Sequence, residues 1–234
     1  MTEGFVDLER LFELNVAALA DEYLLRERQT RARIEPPYAL RLDGVGFSRR
    51  LEGFREPRDP VVHGALVAAA TQLMKSFGAS GAWVGSDEIN LLLLGTSNPY
   101  GGRVDKLVSV SAGMASAITS LVLNRPLFFD SRAVPLRGPG DAALYILYRA
   151  RVIANNFVNK LLQIHGITPR GGFRERYSAA ESLVKSFEPW ALLGTSLVWY
   201  WCIVRGRVKR RVVAATGPWQ LLSSIGFCTC RRSI

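Results

Sequence analysis

Arg41-Leu42-Asp43-Gly44 and Gly85-Ser86-Asp87-Glu88 decide how this chain folds. Tyr38 to Leu42 is a short apolar run that ends on an acid and a glycine. Ala82 to Val84 is a second run, and it breaks at Ser86-Asp87-Glu88 before a third, Ile89 to Leu94. The acids therefore sit where strands stop. Strand ends hold oxygens rigidly and leave them open to ligand, which is what a hard divalent cation for phosphoryl chemistry requires.

Upstream, Pro36-Pro37 separates the first strand from an N-terminal amphipathic helix with apolar positions Leu8, Leu11, Phe12, Leu19 and Tyr23 and a basic end, Arg26, Arg28, Arg31 and Arg33. Downstream, Ser48 to Arg58 reads as a loop, and Asp59-Pro60 caps a helix that runs to about Phe77, where Gly78 and Gly81 end it. Gly95 to Gly102 is a second loop before a helix from Arg103 to about Leu121, rich in small residues, and Phe128 to Val134 is the fourth strand. The order is βαββαβ, which predicts an α+β, ferredoxin-like palm. A right-handed crossover makes strands one and two parallel, with strand three antiparallel between them, so Asp43, Asp87 and Glu88 converge at one sheet edge. Three acids there repel one another unless a cation intervenes.

The rest of the chain reads more simply. Asp141 caps a long helix to about His165, stopped by Gly166 and Pro169, and a further helix is expected from Ser178 to about Leu193. Leu197 to Val204 and Arg207 to Ala214 form a hairpin about Arg205-Gly206, and nothing is readable beyond Pro218. The expected division is a catalytic part with its N-terminal helix over 1–136 and a helical and hairpin part over 137–234 that packs on it and binds RNA.

Composition narrows the function. In 234 residues, 48% are hydrophobic, enough for a core. The 30 Lys+Arg against 20 Asp+Glu give +10, which favours a polyanionic partner, nucleic acid before membrane. Cys202, Cys228 and Cys230 are odd in number and lack a histidine cluster, which argues against a disulfide scaffold or a zinc site. The N-terminus does not read as a signal peptide and the run Leu197 to Val204 is too short to span a bilayer, so a cytoplasmic location without a membrane partner is expected.

Several residues carry paired readings. Gly44-Val45-Gly46-Phe47 is a bend whose N–H groups suit a triphosphate. Arg103 and Lys106 open a helix, where dipole and charge suit phosphate, and solvated charges are the equal alternative. Arg207, Lys209 and Arg211 alternate with apolar residues, an RNA-facing stripe or a solvated face. By spacing, Asn155 and Asn159 read as satisfied core amides. His63 and His165 are isolated, and the five tryptophans read as core.

With Arg-Leu-Asp-Gly-x-x-Phe at 41 to 47 and Gly-Ser-Asp-Glu at 85 to 88, the sequence resembles the tRNA(His) guanylyltransferase superfamily of 3′-to-5′ RNA polymerases. Phe54-Arg55-Glu56-Pro57-Arg58-Asp59 is similar to that family's Phe-x-x-Pro-x-Asp, Phe129-Asp130-Ser131-Arg132 to its Phe-Asp-x-Arg, and Asn155-Asn156 to the end of its His-Ile-Asn-Asn. The resemblance implies a polymerase or cyclase-type palm in which Asp43, the Gly44 carbonyl and Asp87 bind two Mg2+ ions, with Glu88 in support. It implies a nucleotide site lined by Asp43, Gly44, Val45, Gly46, Phe47, Ser48, Ser86 and Asp87, with Arg41, Arg103 and Lys106 as phosphate contacts. Arg132, Asn155, Asn156, Arg207, Lys209 and Arg211 are the expected RNA contacts. ATP or GTP would activate a tRNA 5′ end, nucleoside triphosphates would be added to it, and relatives are commonly tetramers. Ile153 and Ala154 replace the His-Ile pair, and Val45, Gly46 and Ser48 replace the Arg, Asn and His of tRNA(His)-specific members. These departures point to the guanylyltransferase-like branch, which repairs 5′-truncated tRNA on a template. The alternatives are untemplated guanosine addition to tRNA(His), a nucleotide cyclase-like enzyme and a non-catalytic RNA-binding module.

Overall fold

Strand alternation sets the architecture. The computed structural model describes residues 15–29, 31–168, 170–204 and 207–226. Its elements are α1 (Val16–Gln29), β1 (Tyr38–Gly44), a single turn α2 (Phe47–Arg50), α3 (Pro60–Phe77), β2 (Gly81–Gly85), β3 (Glu88–Leu93), α4 (Val104–Leu123), β4 (Phe129–Pro135), α5 (Pro139–Ile164), α6 (Phe173–Val184), α7 (Pro189–Leu193), β5 (Thr195–Val204), β6 (Arg207–Thr216) and α8 (Trp219–Ser224). The strands form one six-stranded sheet in the order β4-β1-β3-β2-β5-β6, and every neighbouring pair is antiparallel. Strand β3 lies between β1 and β2, as element order predicts.

Both faces of the sheet are covered at β1 and β3, so these strands read as nearly continuous apolar runs. Tyr38, Leu40 and Leu42 of β1, with Ile89, Leu91 and Leu93 of β3, join the core beneath α3 and α4. Ala39 and Leu92 point the other way, into a second core with Ala142, Ala143 and Ile146 of α5 and Leu221 and Leu222 of α8. On that second face, Arg41 and Asp43 continue the alternation from Ala39, and Glu88 and Asn90 continue it from Leu92. The polar residues of the site therefore share one face of the sheet.

Helix α3 shows how local signals fix the scaffold. Asp59 accepts hydrogen bonds from the N–H groups of Val61 and Val62, Pro60 opens the helix, and left-handed Gly78 closes it. Such a cap contributes about 1 kcal/mol. Helix α4 buries Leu107, Ser111, Ala115, Thr119 and Leu123 at a spacing of four. By length and composition it is also long and apolar enough to cross a membrane.

Four expectations change. The loop read from Ser48 contains α2. Helix α5 starts at Pro139 rather than at Asp141, because a proline in the first turn needs no donor; Asp141 instead accepts the Arg137 N–H at 2.9 Å. The helix expected from Ser178 to Leu193 is two, α6 and α7, broken ahead of Pro189 where the chain cannot continue helical. Beyond Pro218 the chain forms α8. The hairpin β5–β6 extends the same sheet through β2, over Gly81–Val84 against Thr195–Val198. Leu8, Leu11, Phe12, Pro169, Arg205, Gly206, Cys228 and Cys230 lie outside the described residues.

Candidate active site

The two acidic turns meet. Asp43 stands opposite Glu88 in the β1–β3 register and opposite Asp130 in the β1–β4 register. Ser86 and Asp87 are the two-residue turn between β2 and β3, and the Gly44 N–H donates to the Asp87 carbonyl at 3.1 Å, which ties the two turns together. Ser86 has φ 58, a left-handed conformation that costs a non-glycine residue about 1–3 kcal/mol and is typical of functional turns. A Cβ on Gly44 would lie 2.5 Å from the Phe47 ring, which explains the glycine. Phe47 itself is only 3% exposed and packs edge-on against Phe129, at 5.0 Å between centroids. Gly46 is left-handed at φ 66, turning Val45 outward and starting α2.

Burial raises the Asp43 carboxyl above its usual range, and Asp87 raises it further; Arg41 opposes this, while Glu88 and Asp130 add to it. Asp130 keeps one buried oxygen without a hydrogen-bond partner. The expectation of three uncompensated acids is corrected. Glu88 is 2% exposed and accepts from Arg149 through Nε at 2.9 Å and through Nη2, from Arg41 Nε at 2.8 Å and from Asn90 at 2.7 Å. Among the described residues no group of three or more metal-ligating side chains forms. Asp87 lines the open side of the site, and Asp43 keeps only a long contact with Arg41, at 3.4 Å.

Beside Asp87 is a cavity of about 220 Å³, lined by Ser48, Ser86 and Asp87 together with Arg58, His63, Lys160 and Trp190. Burial pushes the Arg58 guanidinium down to about 10 against the pull of Asp87, and its Nε has no hydrogen-bond partner. His63 stacks on Trp190 at 4.2 Å and bonds Thr195 at 2.8 Å, and burial, with Arg58 nearby, depresses it to about 4. Sequence alone assigns none of these four to the site. The available signal is a helical stripe in α5: Arg149 meets Glu88, Ile153 approaches Gly85, Phe157 lies under Arg58 and Lys160 reaches the cavity.

Other expected site residues fall elsewhere. Arg41 does not face open space for phosphate; it bridges Glu88 and Asp43, the latter at 3.4 Å. Arg103 pairs with Asp105 and bridges Arg33, and the Ile34 N–H bonds Gly102, which places the start of α4 beyond the Tyr38 end of β1. Asp43 ends the same strand at the opposite side, five residues or roughly 17 Å away, so Arg103 and Lys106 are removed from the acids. Arg132 is exposed and pairs with Asp130 at 3.0 Å. Asn155 accepts from Arg176 at 2.8 Å, joining α5 to α6, whereas Asn156 is exposed and Asn159 keeps a buried oxygen without a partner. Arg207, Lys209 and Arg211 are exposed on one face of β6 and pair in register with Val204, Cys202 and Tyr200. The tryptophans divide: Trp83 is core, but Trp201 is 64% exposed, with Arg210 opposite it in the hairpin and stacked on Trp199.

The profile of the family described as Thg1, tRNAHis guanylyltransferase, matches residues 24–137. A search of curated proteins found no match. Among solved structures, a bacterial tRNA(His) guanylyltransferase (Thg1)-like protein in complex with GTP shares the fold with a TM-score of 0.78 at 20% identity, over 89% of this chain and 99% of that one. A bacterial Thg1-like protein in complex with ATP gives 0.75 at 21% identity, over 90% and 99%. The tRNA(His) guanylyltransferase of Saccharomyces cerevisiae gives 0.60 at 18% identity, over 78% and 93%. The matched segment, which carries Asp43 and Asp87 on their tied turns, is thus similar to the tRNAHis guanylyltransferase family of nucleotidyltransferases.

Proposed function

We propose that this chain adds nucleotides in the 3′-to-5′ direction to the 5′ end of tRNA, and that it does so on a template, repairing truncated 5′ ends. The observation that carries the reading is the pair Asp43 and Asp87, held on adjacent strand ends by the hydrogen bond from the Gly44 N–H to the Asp87 carbonyl. The donor set fits Mg2+: the two carboxylates and the Gly44 carbonyl are hard oxygens, and a divalent cation offsets both the burial that chiefly raises Asp43 and the repulsion from Asp87 that adds to it. Two such ions, when bound, supply Lewis-acid stabilisation for the attacking and leaving oxygens of an in-line phosphoryl transfer.

The protein's own groups orient the reactants. Phe47 and Ser48, at the end of the first turn, and Ser86 and Asp87 of the second border the cavity, where we place the nucleoside triphosphate. Arg58 and Lys160 contribute positive charge to it, and the unpartnered Arg58 Nε is a donor held ready for an acceptor on the ligand. ATP or GTP serves as the activating nucleotide. RNA is assigned to the β5–β6 hairpin, whose cations Arg207, Lys209 and Arg211 suit a phosphate backbone. By strand alternation from Val198, this stripe lies on the same sheet face as Asp43 and Glu88.

Template dependence is favoured over untemplated guanosine addition by Val45, Gly46 and Ser48, which stand where tRNA(His)-specific members have Arg, Asn and His. The test supplies Mg2+, nucleoside triphosphates and 5′-truncated tRNAs that differ in the base opposite the missing position. The added nucleotide should follow that base, and Asp43→Asn or Asp87→Asn should lower turnover by about 10³-fold or more. Addition of guanosine whatever the opposing base would replace this reading with the untemplated one.

A further inference from the structure

Glu88 follows Asp87 directly and stands opposite Asp43, yet its carboxylate is fully engaged. The Arg149 fork donates Nε to Oε1 at 2.9 Å and Nη2 to Oε2. Arg41 adds Nε to Oε2 at 2.8 Å, and Asn90 adds Nδ2 to Oε1 at 2.7 Å while accepting from the Tyr145 hydroxyl at 2.7 Å. A carboxylate at that backbone position, left free, would complete a cluster of three acids around the two turns. Two cations prevent it, and the one that takes both oxygens comes from α5, outside the segment that matches the family.

We propose that Arg149 is a positioning residue that withholds Glu88 from the divalent cation at Asp43 and Asp87, so that the cation keeps positions open for nucleotide phosphates and water. The inference rests on the metal reading above. Mg2+ characteristically binds through one or two carboxylates plus substrate phosphates and retains waters, and a third carboxylate in its shell would occupy a place that the substrate needs. A bidentate guanidinium suits this task because it satisfies both oxygens in one plane, which an ammonium does not.

The test is Mn2+ binding to the nucleotide-free protein, followed by the electron paramagnetic resonance signal of the free ion. Arg149→Met releases Glu88 towards the ion and should tighten Mn2+ binding about tenfold. Glu88→Gln/Arg149→Met removes both charges together, should fold, and should bind Mn2+ within about threefold of the unaltered protein. A packing role alone for Arg149 would not make an ion bind more tightly, and Arg149→Lys, which keeps the charge but loses the fork, should still tighten binding, which removal of a charge alone does not explain. A folded Arg149→Met protein with unchanged or weaker binding overturns the inference. So does a double variant that loses tenfold or more, because Glu88 would then already be a ligand; this arm decides alone if Arg149→Met does not fold. Asp87→Asn measured in parallel separates the two readings, since undiminished Mn2+ binding there defeats the metal site itself.

Discussion

Gly44→Ala offers a prediction whose sign depends on one neighbour. Gly44 ends β1 with extended backbone, a conformation that alanine adopts freely, and in such places Gly→Ala stabilises by about 0.4–1 kcal/mol through the unfolded chain. Here the new Cβ would lie 2.5 Å from two atoms of the Phe47 ring and 2.8 Å from a third. The ring has little room to retreat, because it is buried and packed edge-on against Phe129. Overpacking of this kind costs about 1–3 kcal/mol, which outweighs the entropic gain. At about 2–4 °C per kcal/mol for a chain of this size, Gly44→Ala should lower Tm by several degrees. In a Phe47→Ala background the obstruction is gone, and the same substitution should become neutral or stabilising. Chemical denaturation of the four proteins gives the coupling directly, expected at about 2 kcal/mol. Equal effects in both backgrounds would show that the ring does not dictate the glycine.

Two further outcomes are expected. His63 is held neutral in the fold by burial, with a pKa depressed to about 4, whereas the unfolded chain protonates near 6.5. The unfolded state therefore binds more protons between those values, so the stability that His63 contributes is present above pH 6.5 and is lost as pH falls towards 4, by at most about 3 kcal/mol. Denaturation across that range should be flatter in His63→Gln. Replacing Arg207, Lys209 and Arg211 by glutamine should leave stability within about 0.5 kcal/mol, because all three are exposed, and should reduce the salt dependence of tRNA binding by about 0.7–0.9 for every phosphate no longer neutralised. An unchanged salt slope would remove RNA from this face.

The acidic turns were legible because their signals are local. An apolar run that stops at Asp43-Gly44, and a hairpin whose turn is Ser86-Asp87, place acids at strand ends whatever the rest of the chain does. The exposure of the hairpin was not legible. Strand β5 has ten residues but its neighbour β2 has only five, so Trp201 and Ile203 extend past their cover. Periodicity along β5 looks the same whether or not another strand ends beside it. Arg103 and Lys106 misled for a similar reason: a helix start attracts phosphate in principle, and only the arrangement of β1 and α4 says at which end of the sheet that start lies.

Short stretches of sequence carry the βαββαβ order, the place of β3 antiparallel between β1 and β2 and the meeting of Asp43 with Asp87, because strand ends, caps and turns are local signals. Tertiary structure alone decided which acids stay open. Glu88 and Arg149 are 61 residues apart, and nothing in either neighbourhood marks them as partners until α5 packs across the sheet. The same packing buries Arg58 beside Asp87 and brings Lys160 to the cavity. Charge compensation depends on distance in space, and the chain fixes that distance only by folding.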